Sequence, residues 1–346
     1  MEKKLRQKFV ILVFGPTGVG KSGFAEKLAS TINSQIVNCD IGQFYTPFGI
    51  GTAKPANWKT SKIKQHLFDI IDEPRDFSAH EYRTLLLQTI ENIWQQESIP
   101  ILVGGSGFYL KSLFFPPVSN ANDESSSLIS ASVDIPAAAR KELWRARQED
   151  SGSSLWDMLY KIDPERAKKI DKNDTYRIQR ALDIWAKTGK KPSEFKPVFN
   201  FPSNFLFVFL HRDRTALYER INKRTYQMIQ EGWIDEVECL LGTKWEQFFK
   251  EKKLIGYDTI VEYLRGDKSP ERLEETIKTI QQKTRNYAKR QITFWKSFEK
   301  QLKKAMENNM GNNRKVKSRI ENIKLTLSGP DLYIEKLLDY LKDLFE

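Results

Sequence analysis

Short, unbroken apolar runs along this chain alternate with longer segments whose apolar residues recur every three or four positions. Phe9-Val10-Ile11-Leu12-Val13-Phe14, Ser34 to Cys39, Ile99 to Val103 and Phe205 to Leu210 read as strands, and the fully apolar ones as buried on both faces. Helical patterning follows the first strand at Phe24 to Ala29, then covers 78–97, 137–189, Thr215 to about Leu241 and 270–304. Ser78 with Glu81 three residues on is a capping box for the second of these helices. The pattern predicts an α/β fold with an open sheet, interrupted by an all-helical piece. Boundaries fall at 1–117 for the first part of the α/β core, 118–200 for the helical insertion with its Ser-rich start, and 201–304 for the rest of the core. Residues 305–346 form a tail that opens on an Asn-rich linker and carries no assignable motif.

The junction between the first strand and first helix is Gly15-Pro16-Thr17-Gly18-Val19-Gly20-Lys21-Ser22. It fits G-x-x-x-x-G-K-[ST] in the strand–loop–helix setting that the phosphate-binding loop requires. The glycines let successive N–H groups turn inward on phosphate oxygens at a helix N-terminus. Lys21 adds a cation, and the Ser22 hydroxyl can reach Mg²⁺. Such a loop takes a diphosphate or triphosphate without fixing the reaction.

Other candidates lie at the C-terminal ends of strands, where ligands of open α/β sheets bind. Asp40 follows the second strand and is a functional acid or a turn aspartate. Ser106, in Gly104-Gly105-Ser106-Gly107, either faces the crevice or caps the helix of Phe108-Tyr109-Leu110. Arg220 and Arg224 form an i,i+4 pair that is either surface charge or a phosphate clamp, and Arg177 and Arg180 share a helix face. The formal charge is +11, and residues 278–319 hold thirteen Lys and Arg against two Glu, with Tyr287, Phe294, Trp295 and Phe298 interleaved. That combination favours a nucleic-acid partner. Two cysteines with no C-x-x-C pair exclude a disulfide framework and a structural zinc site. His66, His80 and His211 are dispersed and read as packed or solvated. No apolar stretch approaches a membrane span, so a cytoplasmic protein is expected.

In order along the chain, the loop of Gly15 to Ser22, Asp40-x-x-Gln43-x-Tyr45, Gly51-Thr52-Ala53-Lys54-Pro55, Gly104 to Leu110, Arg177 to Leu182 and Tyr287 to Trp295 resemble the motifs of the tRNA dimethylallyltransferases. The resemblance spans Phe9 to Lys300. It implies a P-loop NTPase-like core, its parallel sheet flanked by helices, with a helical insertion that closes over the tRNA anticodon stem-loop. It implies transfer of a dimethylallyl group from dimethylallyl diphosphate to N6 of the adenosine just 3′ of the anticodon, in tRNAs reading codons that begin with U. By that resemblance the loop and Arg224 hold the diphosphate with Mg²⁺, Asp40 takes the proton, and Ser106 stands for the family's threonine beside the target base. Asp40, Ile41, Gly42, Gln43, Ser106, Arg140, Tyr176, Arg177, Ile178, Gln179 and Arg180 fall where the family meets RNA, and the basic run with Lys289 and Arg290 adds phosphate attraction. Ile41 departs from the family's serine. A monomer is expected.

A small-molecule or nucleotide kinase would use the same loop to hold ATP, but would leave the basic charge unexplained. An RNA-stimulated ATPase would need an acid after a buried strand, where Val103 leads instead to Gly104-Gly105.

Overall fold

A computed structural model describes residues 8–118, 144–145, 154–310, 318–325 and 331–345. The chain forms two compact units, the first from residues 1–74, 85–110 and 202–346 and the second from 75–84 and 111–201. Six strands build the sheet of the first unit: β1 (Phe9–Phe14), β2 (Gln35–Asn38), β3 (Gln65–His66), β4 (Pro100–Gly104), β7 (Asn204–His211) and β8 (Arg319–Lys324). Their order is β3-β2-β4-β1-β7-β8, and every pairing is parallel. In the centre Ile11 lies between Ile101 and Leu206. All six residues of β1 are buried, as a strand covered on both faces requires.

Helix α1 (Lys21–Ile32) follows β1 and buries Phe24, Ala25, Leu28 and Ala29 in the same core. Helix α2 (Ala79–Gln95) begins at the expected capping box: Ser78 Oγ accepts from the Glu81 amide at 3.1 Å, and the Glu81 carboxylate accepts from the Ser78 amide at 2.9 Å. Helix α3 (Gly107–Phe114) follows β4.

The second unit contains β5 (Pro117–Val118) paired antiparallel with β6 (Lys196–Pro197) and the helices α4 (Leu155–Ile162), α5 (Pro164–Ala167) and α6 (Thr175–Thr188). Its core is Trp144, Leu155, Leu159, Ala167, Ile170, Ile178, Ala181 and Leu182, and the Trp144 indole donates to Asp183 at 2.6 Å. Ser154, Asp163 and Asp174 cap its helices by accepting backbone amides.

Back in the first unit, the helix expected from Thr215 to Leu241 is two helices, α7 (Arg214–Gln230) and α8 (Trp233–Glu238). Gly232 breaks it with a φ of 98°, a left-handed conformation open to glycine. Two shorter helices, α9 (Lys244–Lys252) and α10 (Tyr257–Arg265), lead to the long basic helix α11 (Pro270–Met310), which runs past its expected end at 304. Of its interleaved aromatics, Trp295 and Phe298 are buried, and Trp295 stacks on Phe209 at 4.4 Å and on Phe207 at 4.7 Å. They fasten the helix to the sheet and are not offered to nucleic acid.

The tail, which carries no sequence motif, supplies β8 and helix α12 (Asp331–Phe345). β8 pairs with β7 from Leu206–Arg319 to His211–Lys324. Ile323, Leu325, Ile334, Leu337 and Leu341 join the central core. Among the described residues, no helix is long and apolar enough to cross a membrane.

Candidate active site

The Gly15–Ser22 loop joins β1 to α1 at the C-terminal end of the sheet. Gly18 and Gly20 have φ of 80° and 108°, so the turn requires residues that adopt left-handed backbone at little cost. The loop's carbonyls are held by cations. Lys21 Nζ donates to the carbonyls of Gly15 and Pro16, each at 3.1 Å. Arg220 Nε donates to Gly18 O at 3.0 Å, and Arg212 Nε donates to Val19 O at 2.9 Å. Arg224 Nη2 donates to Thr17 Oγ1 at 2.6 Å. Of the peptide units so held, that of Gly15 ends on Pro16, which has no N–H, and those of Pro16 and Gly18 give their amides to Gln291 Oε1 and Pro16 O, so it is the Gly20 amide that can turn toward an anion. The leading amides of α1, which lack carbonyl partners within the helix, extend the same donor surface. Arg212 stands in a stretch legible as strand-end residues, but nothing in the sequence ties it to the loop.

Asp40 follows β2, and its side chain makes no cap bond to the short helical turn that it opens. Ser106 Oγ donates to Asp40 Oδ1 at 3.4 Å and accepts from the Ile41 amide at 3.3 Å. Buried Ser106 therefore faces Asp40, although α3 starts just after it. Burial pushes the Asp40 carboxyl up from its ordinary value, against the pull of the Lys21 ammonium. Burial also lowers the Lys21 ammonium from 10.5 to about 8, with Asp40 opposing and Arg224 reinforcing. Carboxylate, ammonium and guanidinium thus share one poorly solvated pocket, the setting in which functional groups acquire shifted protonation.

Two cavities meet here. One, of about 470 Å³, is lined by the loop with Lys21, Ser22, Arg220, Lys223 and Arg224. The other, of about 300 Å³, mixes apolar walls (Met228, Leu254, Ile255, Ile280) with Tyr287 and Arg290. Thr17, Asp40, Thr52, Ala53 and Arg224 line both. Tyr287 opens the last of the sequence motifs, and only the structure places it at the site. Burial and then the Asp40 carboxylate raise its phenol above the ordinary value.

The remaining expected residues divide. Ile41 and Gly42 line the second cavity. Gln43 turns to the neighbouring loop, its Nε2 donating to the carbonyls of Thr52 and Ala53 at 3.0 and 3.1 Å. That loop is held from behind by Glu236, whose carboxylate accepts the amides of Gly49, Ile50 and Gly51 at 2.9, 2.6 and 3.1 Å. Lys289 and Arg290 are exposed on α11. In the same helix Lys283 and Arg285 bond Thr259 and Asn222, so they serve packing. In the second unit Tyr176 is 64% exposed and Arg177 is exposed, while Gln179 and Arg180 are half-buried. Ile178 corrects the sequence reading: it is 1% exposed in the core of that unit, and its side chain is not available to RNA. Arg140 lies outside the described residues.

The profile of the family described as IPP transferase matches residues 43–298. The chain belongs to the IPP transferase family. A tRNA dimethylallyltransferase of Pseudothermotoga lettingae is 32% identical over 292 residues, covering 84% of this chain and 87% of its own. The crystal structure of a full-length tRNA isopentenylpyrophosphate transferase from Bacillus halodurans is 28% identical, with a TM-score of 0.59 over 98% of this chain and 97% of that one. A eukaryotic dimethylallyltransferase captured acting on tRNA is 30% identical, with a TM-score of 0.64 over 84% of this chain and 70% of its own. This family membership agrees with the motif resemblance, and the Gly15–Ser22 loop lies N-terminal to the residues that the profile matches.

Proposed function

We infer that this chain transfers a dimethylallyl group from dimethylallyl diphosphate to N6 of the adenosine 3′-adjacent to the anticodon, in tRNAs reading codons that begin with U. Diphosphate leaves. The observation that carries this reading is the wall shared by the two cavities. Lys21, Arg220, Lys223 and Arg224 line the loop cavity and suit a leaving diphosphate, and the Asp40 carboxylate stands on the wall that the two cavities share.

As the C–O bond of the donor breaks, charge builds on the diphosphate. The Gly20 amide, the leading amides of α1, Lys21 and Arg224 stabilise that charge better than they stabilise the intact donor. The acceptor N6 has its lone pair delocalised into the purine, and a carboxylate with an ordinary pKa near 4 does not deprotonate it beforehand. Asp40 accepts a hydrogen bond from N6, orients it, and takes its proton as the nitrogen becomes cationic. Ser106 holds Asp40 in place through the 3.4 Å bond. The adenosine leaves the stack of the anticodon loop to reach a donor held this deep, and the exposed Lys289 and Arg290 attract the RNA backbone.

Mg²⁺ fits the loop cavity, where Ser22 lies with the carboxylates of Glu26 and Asp40. Among the described residues no cluster of three or more His, Cys, Asp or Glu could hold a metal alone. A cation held by Ser22, diphosphate oxygens and water accords with the habit of Mg²⁺. When bound, it neutralises charge on the diphosphate. An RNA acceptor of this kind accords with a cytoplasmic setting. A kinase reading of the same loop is not favoured, since the relatives matched are prenyl transferases.

Diphosphate release tests this. The reading predicts release only when dimethylallyl diphosphate and an anticodon stem-loop carrying the adenosine are present together. Release of phosphate from ATP, with none from the prenyl donor, would refute it.

A further inference from the structure

The P-loop and the turn that presents Ser106 are far apart in sequence, yet one side chain ties them. Gln291, part-buried on α11, accepts the Thr17 amide on its Oε1 at 2.8 Å. Its Nε2 donates to the Gly105 carbonyl at 2.9 Å. Thr17 is the loop residue whose hydroxyl receives Arg224, and Gly105 immediately precedes Ser106, which bonds Asp40. Both polar ends of one amide are therefore used, one on each side of the shared wall. A Cβ at Gly105 would lie 2.5 Å from Gln291 Nε2, so the turn has no side chain where Gln291 docks. The same helix supports this docking twice more. Phe294 closes over Gly107, where a Cβ would lie 2.5 Å from its ring, and Tyr287, one turn before Gln291, lines the Asp40 cavity.

We propose that Gln291 is a positioning residue that holds the diphosphate loop in register with the Ser106–Asp40 pair, so that binding at one site is felt at the other. It rests on the reading of the two cavities given above. Gln291 touches neither the breaking bond nor the nucleophile. Without it the two halves of the site can each still bind, but their relative placement relaxes. A misplacement of about 1 Å can cost on the order of 10²-fold in rate, because the reacting atoms must be held in line.

The test uses two full-length variants. Gln291→Met keeps the bulk on the helix face and loses both bonds. Gln291→Glu keeps an acceptor for Thr17 N–H but sets an oxygen against the Gly105 carbonyl. The affinity of the unreactive thiolo analogue of dimethylallyl diphosphate is measured by calorimetry with and without saturating unmodified stem-loop, and kcat and KM are measured with the true donor. The stem-loop is expected to change analogue affinity severalfold in the wild type, and that factor should fall to about one in both variants. Turnover should fall about 10- to 100-fold while KM for the donor moves less than about threefold. Wild-type binding with no mutual effect, or variants that keep both the coupling and the turnover, would overturn the proposal. So would a loss confined to KM, or a loss that tracks a lowered melting temperature. Failure of the wild type to transfer the C5 unit at all would instead overturn the functional reading on which the proposal rests.

Discussion

Lys21 offers a titration that reads the proposed diphosphate site from outside. Its ammonium, lowered to about 8 chiefly by burial, is the loop's own cation, held on the carbonyls of Gly15 and Pro16. The sign follows from the charge. A depressed pKa means that the unliganded protein sheds this proton as pH rises through 8, and a diphosphate must then bind a neutral amine or recapture the proton. At pH 9 only about one-tenth of the lysine is protonated, so kcat/KM for the donor should fall about tenfold per pH unit above 8. The diphosphate does not confuse the limb, since its last ionisation, as with other phosphate esters, is near 6. The assay is initial rate against donor concentration from pH 7 to 9.5 with stem-loop saturating. Lys21→Arg carries a charge that does not titrate in this range, so its profile should lose the alkaline limb even at reduced absolute activity. A flat wild-type profile to pH 9.5, or an unchanged limb in Lys21→Arg, would refute this account of the loop.

Asp40→Asn should cut turnover by 10²-fold or more, since about that much is typical for a positioned base. It should leave melting at pH 8 unchanged or raised: burial lifts the Asp40 pKa, so the ionised form costs stability above that value and the neutral amide does not. Arg224→Ala should weaken donor analogue binding about tenfold or more, checked by calorimetry, because it removes a part-buried guanidinium from both cavities. Ending the chain at Met310 should abolish folded protein, as seen by circular dichroism, because it strips an edge strand and five buried side chains worth roughly 1.5–3 kcal/mol each. Replacing Lys289 and Arg290 with Ala should reduce the salt dependence of stem-loop binding, by about one unit of slope for each phosphate that these side chains neutralise.

The strands were legible where both faces are buried: β1, β4 and β7 are unbroken apolar runs. β8 was not, because Arg319-Ile320-Glu321-Asn322-Ile323-Lys324 is an edge strand with polar residues scattered through it, and only Ile323 is fully buried. The break at Gly232 was hidden because apolar periodicity continues through Trp233 and Val237 on the far side. Within the site, the loop, Asp40, Ser106 and Arg224 could be named because each sits at a strand end or in a spaced motif. Glu236 could not, because a carboxylate on a helix surface has no pattern that reveals which distant backbone it meets, and Gln291, although inside the Tyr287–Trp295 motif, gave no sign that its amide meets Thr17 and Gly105. Trp295 and Phe298 misled for a related reason. Aromatics among lysines resemble an RNA-binding stripe, and only the packing of α11 on β7 shows that they are core.

Under the proposed function the Gly15–Ser22 loop and Asp40 serve one displacement at N6. The most direct measurement is nuclease digestion and mass spectrometry of a stem-loop incubated with Mg²⁺ and dimethylallyl diphosphate. The expected result is one C5 unit on N6 of the adenosine following the anticodon with the wild type, and loss of that product with Asp40→Asn under conditions in which the stem-loop still binds. No C5 unit with the wild type, a C5 unit elsewhere on the RNA, or full activity in Asp40→Asn would contradict it.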